Sequence, residues 1–275
     1  MAPMAAPMAA PLAAPMAKAS LDLENARILV TNDDGIDAPG IKTLERIARS
    51  LSKDVWVVAP ETEQSATSHA LTLRRPLRSR KQGPRRFSVD GTPTDCVLVA
   101  HHHILRDRVP DLVLSGINHG TNLGEDVTYS GTVAAAMEAA ILGVPAVAFS
   151  QMRPREGRID WRTAEHFGPR ILRRLAELPW PRDLLINVNF PPLPPEQVQG
   201  VRPCRQGRRD EGTTINEGVD PSGRPYLWIG NFLSDDSSDR GTDLAAIAEG
   251  AIAVTPLHMD MTHKTTLKKL SGFFE

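Results

Sequence analysis

Four apolar runs of strand length carry almost no polar alternation: "RILVT" from Arg27, "DVWVVA" from Asp54, "DLVLSG" from Asp111 and "VPAVAFS" from Val144; "LLINVNF" from Leu184 reads as a further strand, stopped by prolines. A strand with one wet face alternates and a strand covered on both faces does not, so these runs predict a parallel sheet flanked by helices. Helical patterns lie between them. Gly40 to Leu51 separates the first two runs, and Trp161 to Leu178 precedes the last. "GTVAAAMEAAILG" leads into "VPAVAFS"; its alanines, Met137, Glu138 and Leu142 favour helix until Gly143 ends it. The expected fold is α/β: a three-layer α/β/α sandwich around a mostly parallel, Rossmann-like sheet.

The flanks read differently. "MAPMAAPMAAPLAAPMAKAS" sets a proline roughly every four positions, which blocks a helix, and its first positive charge is Lys18. That is expected to be a disordered leader, residues 1–25, and not a secretory signal. Residues 26–200 are expected to form the α/β core. Beyond them, Pro203 to about Gly241 is rich in charge, Gly and Pro around a strand at Pro225 to Gly230, the pattern of a projecting hairpin arm. "GAIAVTPLH" and "HKTTLKKLSGFF" then read as a strand and a short helix. Arg74 to Pro93 resembles a hairpin leading to a helix near Thr94 to His103.

With 41% hydrophobic residues over 275 positions the chain can bury a full core. Lys plus Arg number 32 and Asp plus Glu 33, so no bulk field gathers nucleic acid or a membrane surface, and an anionic ligand has to be held locally. No segment reaches the ~18 uninterrupted apolar residues of a membrane span. Cys96 and Cys204 lie far apart, which suits reduced thiols in a cytoplasmic protein.

In an open α/β sheet, ligands bind beyond the carboxyl ends of the strands. The first run is followed by Asn32, Asp33, Asp34 and Gly35, the second by "PETEQSATSH" with Ser65 in its middle, and the third by "SGINHGTNLG" with Asn118 and Asn122. Two adjacent carboxylates raise each other's proton affinity unless a cation lies between them. Oxygen donors without a Cys or His set suit Mg2+ or Mn2+. The simpler reading of Asp-Gly is a turn. Ser130, Gly131 and Thr132 open the Ala-rich helix, where free amides attract phosphate, although Ser or Thr there also serves as an ordinary N-cap. A cation beside an anion pocket is what phosphoryl transfer needs.

Other motifs are weaker. His101 to His103 point to different helix faces and read as a solvated run, while His69 and His119 sit inside the loops and are candidates to touch substrate. No G-x-G-x-x-G, P-loop lysine or G-x-S-x-G elbow is present, which removes the main signals of dinucleotide binding, P-loop hydrolysis and serine hydrolysis. "NDDGID" also lacks the D-x-D of phosphoenzyme-forming haloacid dehalogenase phosphatases.

"ILVTNDDGI", "VVAPETEQSATSHALT", "VDGTPTDCV", "LVLSGINHGTNLGEDVTYSGTVAAAMEAA", "GVPAVAFS" and "AVTPLH" occur in one order between Arg27 and His258. In these motifs the chain resembles the SurE family of nucleotidases. The resemblance implies a metal-dependent phosphatase acting on nucleoside 5'-monophosphates, also 3', with exopolyphosphatase activity in some members. It implies a divalent cation, Mg2+ or Mn2+, on Asp33, Asp34, Ser65 and Asn118; our own expectation is that Asp33 also orients or deprotonates the water. Phosphate contacts are implied at Asn122, Ser130, Gly131 and Thr132. C-terminal exchange giving a homodimer or homotetramer is implied as well. A non-catalytic nucleotide sensor is the alternative, separated from an enzyme by the release of phosphate.

Overall fold

The computed structural model describes residues 20–209, 213–232 and 239–274. Nearly all of the Ala-Pro leader lies outside them.

Among the described residues nine strands form one sheet. They are β1 (Arg27–Thr31), β2 (Asp54–Pro60), β3 (Ser79–Gly83), β4 (Arg86–Val89), β5 (Leu112–His119), β6 (Ala146–Gln151), β7 (Leu184–Phe190), β8 (Val201–Pro203) and β11 (Ile252–His258), in spatial order β3-β4-β2-β1-β5-β6-β7-β11-β8. The six strands from β4 to β7 run parallel; β3 and β11 join the two ends antiparallel. Strand order reverses between β1 and β5, which opens a crevice at their carboxyl ends.

Successive side chains leave a strand on opposite faces, so the unalternated runs build two cores at once. Ile28 and Val30 of β1, with Leu112, Leu114 and Phe149, pack against α1 (Pro39–Arg49) and α4 (Arg162–Ala176). Leu29, Val113 and Ala148 pack on the other face against α2 (Pro93–Val99) and α3 (Gly131–Ile141). The second layer is dominated by alanine and valine, and small side chains bring α3 close to the sheet. Each fully buried Ile or Leu contributes about 1.5–3 kcal/mol.

Several boundaries differ from the expectation. Packing begins before residue 26: the Leu21 amide donates to the Ala176 carbonyl at 2.9 Å, and Leu23 lies in the core. The core also continues past residue 200, since β11 pairs with β7 and β8, and α5 (Asp243–Ala248) buries Leu244 and Ile247. What projects is the hairpin of β9 (Thr213–Val219) and β10 (Pro225–Phe232), whose only strand pairing among the described residues is with each other, and α6 (Lys264–Ser271), which has no buried residue. The stretch expected as helix through His103 is helical throughout: α2 runs directly into a wider π-helical stretch, Ala100–Ile104, closed by the Leu105 amide on the Ala100 carbonyl. Both cysteines are free and buried.

Candidate active site

β1 delivers Asn32, Asp33 and Asp34 to the crevice. The loop is tied at both ends: Asn32 Nδ2 donates to the Gly35 carbonyl at 2.8 Å, and the Ile36 amide donates to the Pro60 carbonyl at 2.9 Å. Gly35 has φ +97°, and a Cβ there would stand 3.3 Å from the Thr62 carbonyl carbon, so both backbone angle and space call for glycine. The Gln64 amide donates to the Asp33 carbonyl at 2.7 Å, stitching the loop after β2 to the loop after β1.

Asp33 is buried between the sheet and the start of α3. The Thr132 hydroxyl donates to its Oδ1. Burial pushes the Asp33 carboxyl up to about 6; the Thr132 hydrogen bond pulls it down and the neighbouring Asp34 charge pushes it further up. Gly131 makes this approach possible, because a Cβ there would lie 2.8 Å from Asp33 Cβ. Ser130 caps α3, its Oγ accepting from the Val133 amide at 3.1 Å while its own hydroxyl hydrogen stays available for an acceptor. Thr132, expected toward phosphate, spends its hydroxyl on Asp33.

Asp34 faces the end of β5. The His119 amide donates to its Oδ2 at 3.2 Å, and the His119 ring pairs with Oδ1. That hydrogen bond holds the imidazole above its ordinary value despite partial burial. The segment "SGINHG", read as loop, belongs largely to β5. Ser115 pairs with Ala148 and Asn118 with Ser150, so β5 carries one extra residue, a bulge that re-aims Asn118 and His119 at the crevice. Asn118 Nδ2 donates to the Gly120 carbonyl at 3.0 Å. Ser65 is exposed, and its hydroxyl donates to Glu63 at 2.7 Å. Asn122 is buried deeper: Nδ2 donates to Ser150 Oγ at 2.8 Å, and its amide donates to Asn189 Oδ1 at 2.8 Å.

A cavity of about 660 Å³ opens beside Asp34, with Glu63, His119, Arg158, Ile159 and Trp161 among its walls. His69 lies elsewhere, with Nε2 2.8 Å from Glu138 of α3, and Ser68 Oγ donates to the Thr128 carbonyl at 2.7 Å. The loop after β2 is thus strapped to the helix that Asp33 abuts. Only its position between strand and helix hinted at this in the sequence.

Residues 28–213 match the family model for Survival protein SurE. The chain belongs to the SurE family. Relatives include the 5'-nucleotidase SurE of Paramagnetospirillum magneticum, 58% identical over 253 residues that cover 92% of this chain and 97% of that one. The 5'-nucleotidase SurE of Rhodospirillum rubrum is 55% identical over 256 residues, covering 92% and 98%. The crystal structure of the SurE protein from Aquifex aeolicus matches with a TM-score of 0.78 at 40% identity, covering 90% of this chain and 99% of that one.

The donor set fits a hard divalent cation. Among the described residues no three His, Cys, Asp or Glu side chains converge on one point, so a cation beside the two carboxylates would take hydroxyl, amide and water oxygens. Asn32 Oδ1 is buried at the same place without a hydrogen-bond partner.

Proposed function

We infer that the chain is a phosphomonoesterase that hydrolyses nucleoside 5'-monophosphates to nucleoside and inorganic phosphate. The observation that carries this is the junction of Asp33 with α3: two adjacent carboxylates meet the amide end of a helix at the strand-order reversal. Relatives that share 52–58% of its residues bear the name 5'-nucleotidase, which supports the same substrate.

Asp33, Asp34, Ser65 and Asn118 are proposed to hold Mg2+ or Mn2+. Such an ion, when bound, supplies Lewis acidity for phosphoryl transfer. Gly131 offers its amide, and Ser130 its hydroxyl, to the phosphate, and Asn122 is proposed as a further contact to it. Asp33, its carboxyl held high by burial, is proposed to orient the water that attacks phosphorus in line with the departing nucleoside oxygen. The cavity beside Asp34 has ample room for a nucleoside, with Trp161 and Ile159 as apolar walls and Glu63 as an acceptor for hydroxyls.

No helix of the described residues is long and apolar enough to cross a membrane. Self-association is proposed as a homodimer or homotetramer, because Leu227, Trp228 and Ile229 of the hairpin and Phe273 and Phe274 near the C-terminus are all exposed.

The test is phosphate release from a panel of nucleoside monophosphates with Mg2+, Mn2+ or chelator. Metal-dependent release is expected. Tight nucleotide binding without release under any of these conditions would refute the enzyme and leave a sensor.

A further inference from the structure

The turn that enters α3 is gripped from behind by both feet of the hairpin arm. From the incoming foot, Gln206 Nε2 donates to the Gly124 carbonyl at 2.7 Å, and the Arg209 amide donates to the Glu125 carboxylate at 3.1 Å. From the outgoing foot, Asp243 accepts the Gly124 amide at 3.0 Å and the Gly207 amide at 2.8 Å, joining the two feet to the turn. The Arg209 side chain, only 8% exposed, donates to the Leu123 carbonyl at 3.0 Å and to Asp126 Oδ2 at 2.8 Å.

Asp126 passes this grip to the N-cap. Its carboxylate is held by Arg209 and by the Leu123 amide at 3.1 Å, and its carbonyl accepts the Ser130 amide at 3.0 Å. Arg209, Asp126 and Ser130 therefore form one chain of hydrogen bonds from the arm to the first turn of α3. A guanidinium spans the Leu123 carbonyl and the carboxylate together with planar donors fixed in one fork, a rigid geometry that an ammonium on its flexible stem lacks.

We propose that Arg209 is a positioning residue for the phosphate seat at Ser130 and Gly131, acting through Asp126. This rests on the reading that the start of α3 receives the substrate's phosphate. Loss of the guanidinium lets the 123–126 turn relax, and the N-cap moves out of register with an anion whose other contacts are rigid.

The experiment uses the full chain as wild type, Arg209→Met, Arg209→Lys and Arg205→Met. Arg205 is on the same foot, but among the described residues its side chain pairs only with exposed Asp239. Inorganic phosphate affinity is measured by calorimetry in the presence of Mn2+, alongside KM, kcat, the Mn2+ activation constant, thermal midpoint and oligomer size. Arg209→Met is expected to weaken phosphate and to raise KM by about tenfold together, with the Mn2+ constant unchanged and Arg209→Lys in between. Arg205→Met is expected to leave all of these as in wild type.

Wild-type phosphate affinity in folded Arg209→Met overturns the proposal. A fall in thermal midpoint or oligomer size with phosphate affinity intact also overturns it, because that is a purely structural role. Should Arg209→Met not fold, Arg209→Lys decides: weaker phosphate supports the proposal and unchanged phosphate overturns it. A wild type that binds phosphate yet releases none from any nucleotide refutes the functional reading alone.

Discussion

Thr132 donates its hydroxyl to Asp33 across 99 residues of sequence, so the start of α3 and the end of β1 share one hydrogen bond inside the protein. A hydrogen bond to a buried carboxylate contributes about 1.5–3 kcal/mol. Thr132→Val keeps the shape and deletes the donor, leaving Asp33 free to turn. Turnover of a nucleoside monophosphate is expected to drop about 10–100-fold in a protein that still folds cooperatively. Wild-type kcat in that variant contradicts a role for the bond in ordering Asp33.

Metal addition should be visible in stability. A cation that binds only the folded chain at 100 times its Kd stabilises by about 2.7 kcal/mol, which for a chain of this size shifts the thermal midpoint by about 5–10 °C. Asp34→Asn removes one charge from a loop without opening a cavity. The shift with Mn2+ and the metal-dependent phosphate release are both expected to vanish, while the midpoint with chelator stays near wild type. Scanning fluorimetry and a phosphate assay check this, and a retained shift relocates the ion.

Trp161 tests the seat proposed for the nucleoside. Trp161→Ala is expected to raise KM for nucleoside monophosphates about tenfold and leave hydrolysis of a small alkyl phosphate unchanged. Equal losses on both substrates would place the residue in the scaffold instead.

Asp54, far from the crevice, makes a prediction about pH. Partial burial alone would raise its carboxyl, but hydrogen bonds from Arg27 and Trp56 and the charges of Arg27 and Arg85 outweigh burial and hold it below the ordinary 3.8. A depressed folded value means that the unfolded chain binds the proton more tightly. The stabilisation is therefore complete above the unfolded value and disappears as pH falls through the lower folded value. Asp54→Asn is expected to cost about 1 kcal/mol at pH 7, and the gap between variant and wild type should close on acidification below pH ~4. A gap that widens toward acid reverses the sign.

The strand ends were legible because they are local. β1 begins and ends where the apolar run does, and the helix at Gly131 follows from its alanines and its Ser130 cap. The bulge in β5 was not legible: "SGINHG" carries every mark of a loop, and only pairing with β6 draws it into the sheet. His69 with Glu138 and Arg209 with Asp126 are 69 and 83 residues apart, and no spacing rule reaches that far. Asn122 is set against the phosphate by the resemblance to the SurE family. Its bonds to Ser150 and Asn189 depend on neighbours that only the sheet order brings together.

The helix that opens at Ser130 is buried at every position from Gly131 to Ala140 except Met137, wedged between the sheet and α2. One jaw of the crevice is therefore cast into the body of the molecule. The opposite jaw, around Arg158 and Ile159, lies at the surface, with Arg158 exposed and Ile159 half-buried. Substitutions there can reshape the crevice while the packing of the buried helix stays as it is.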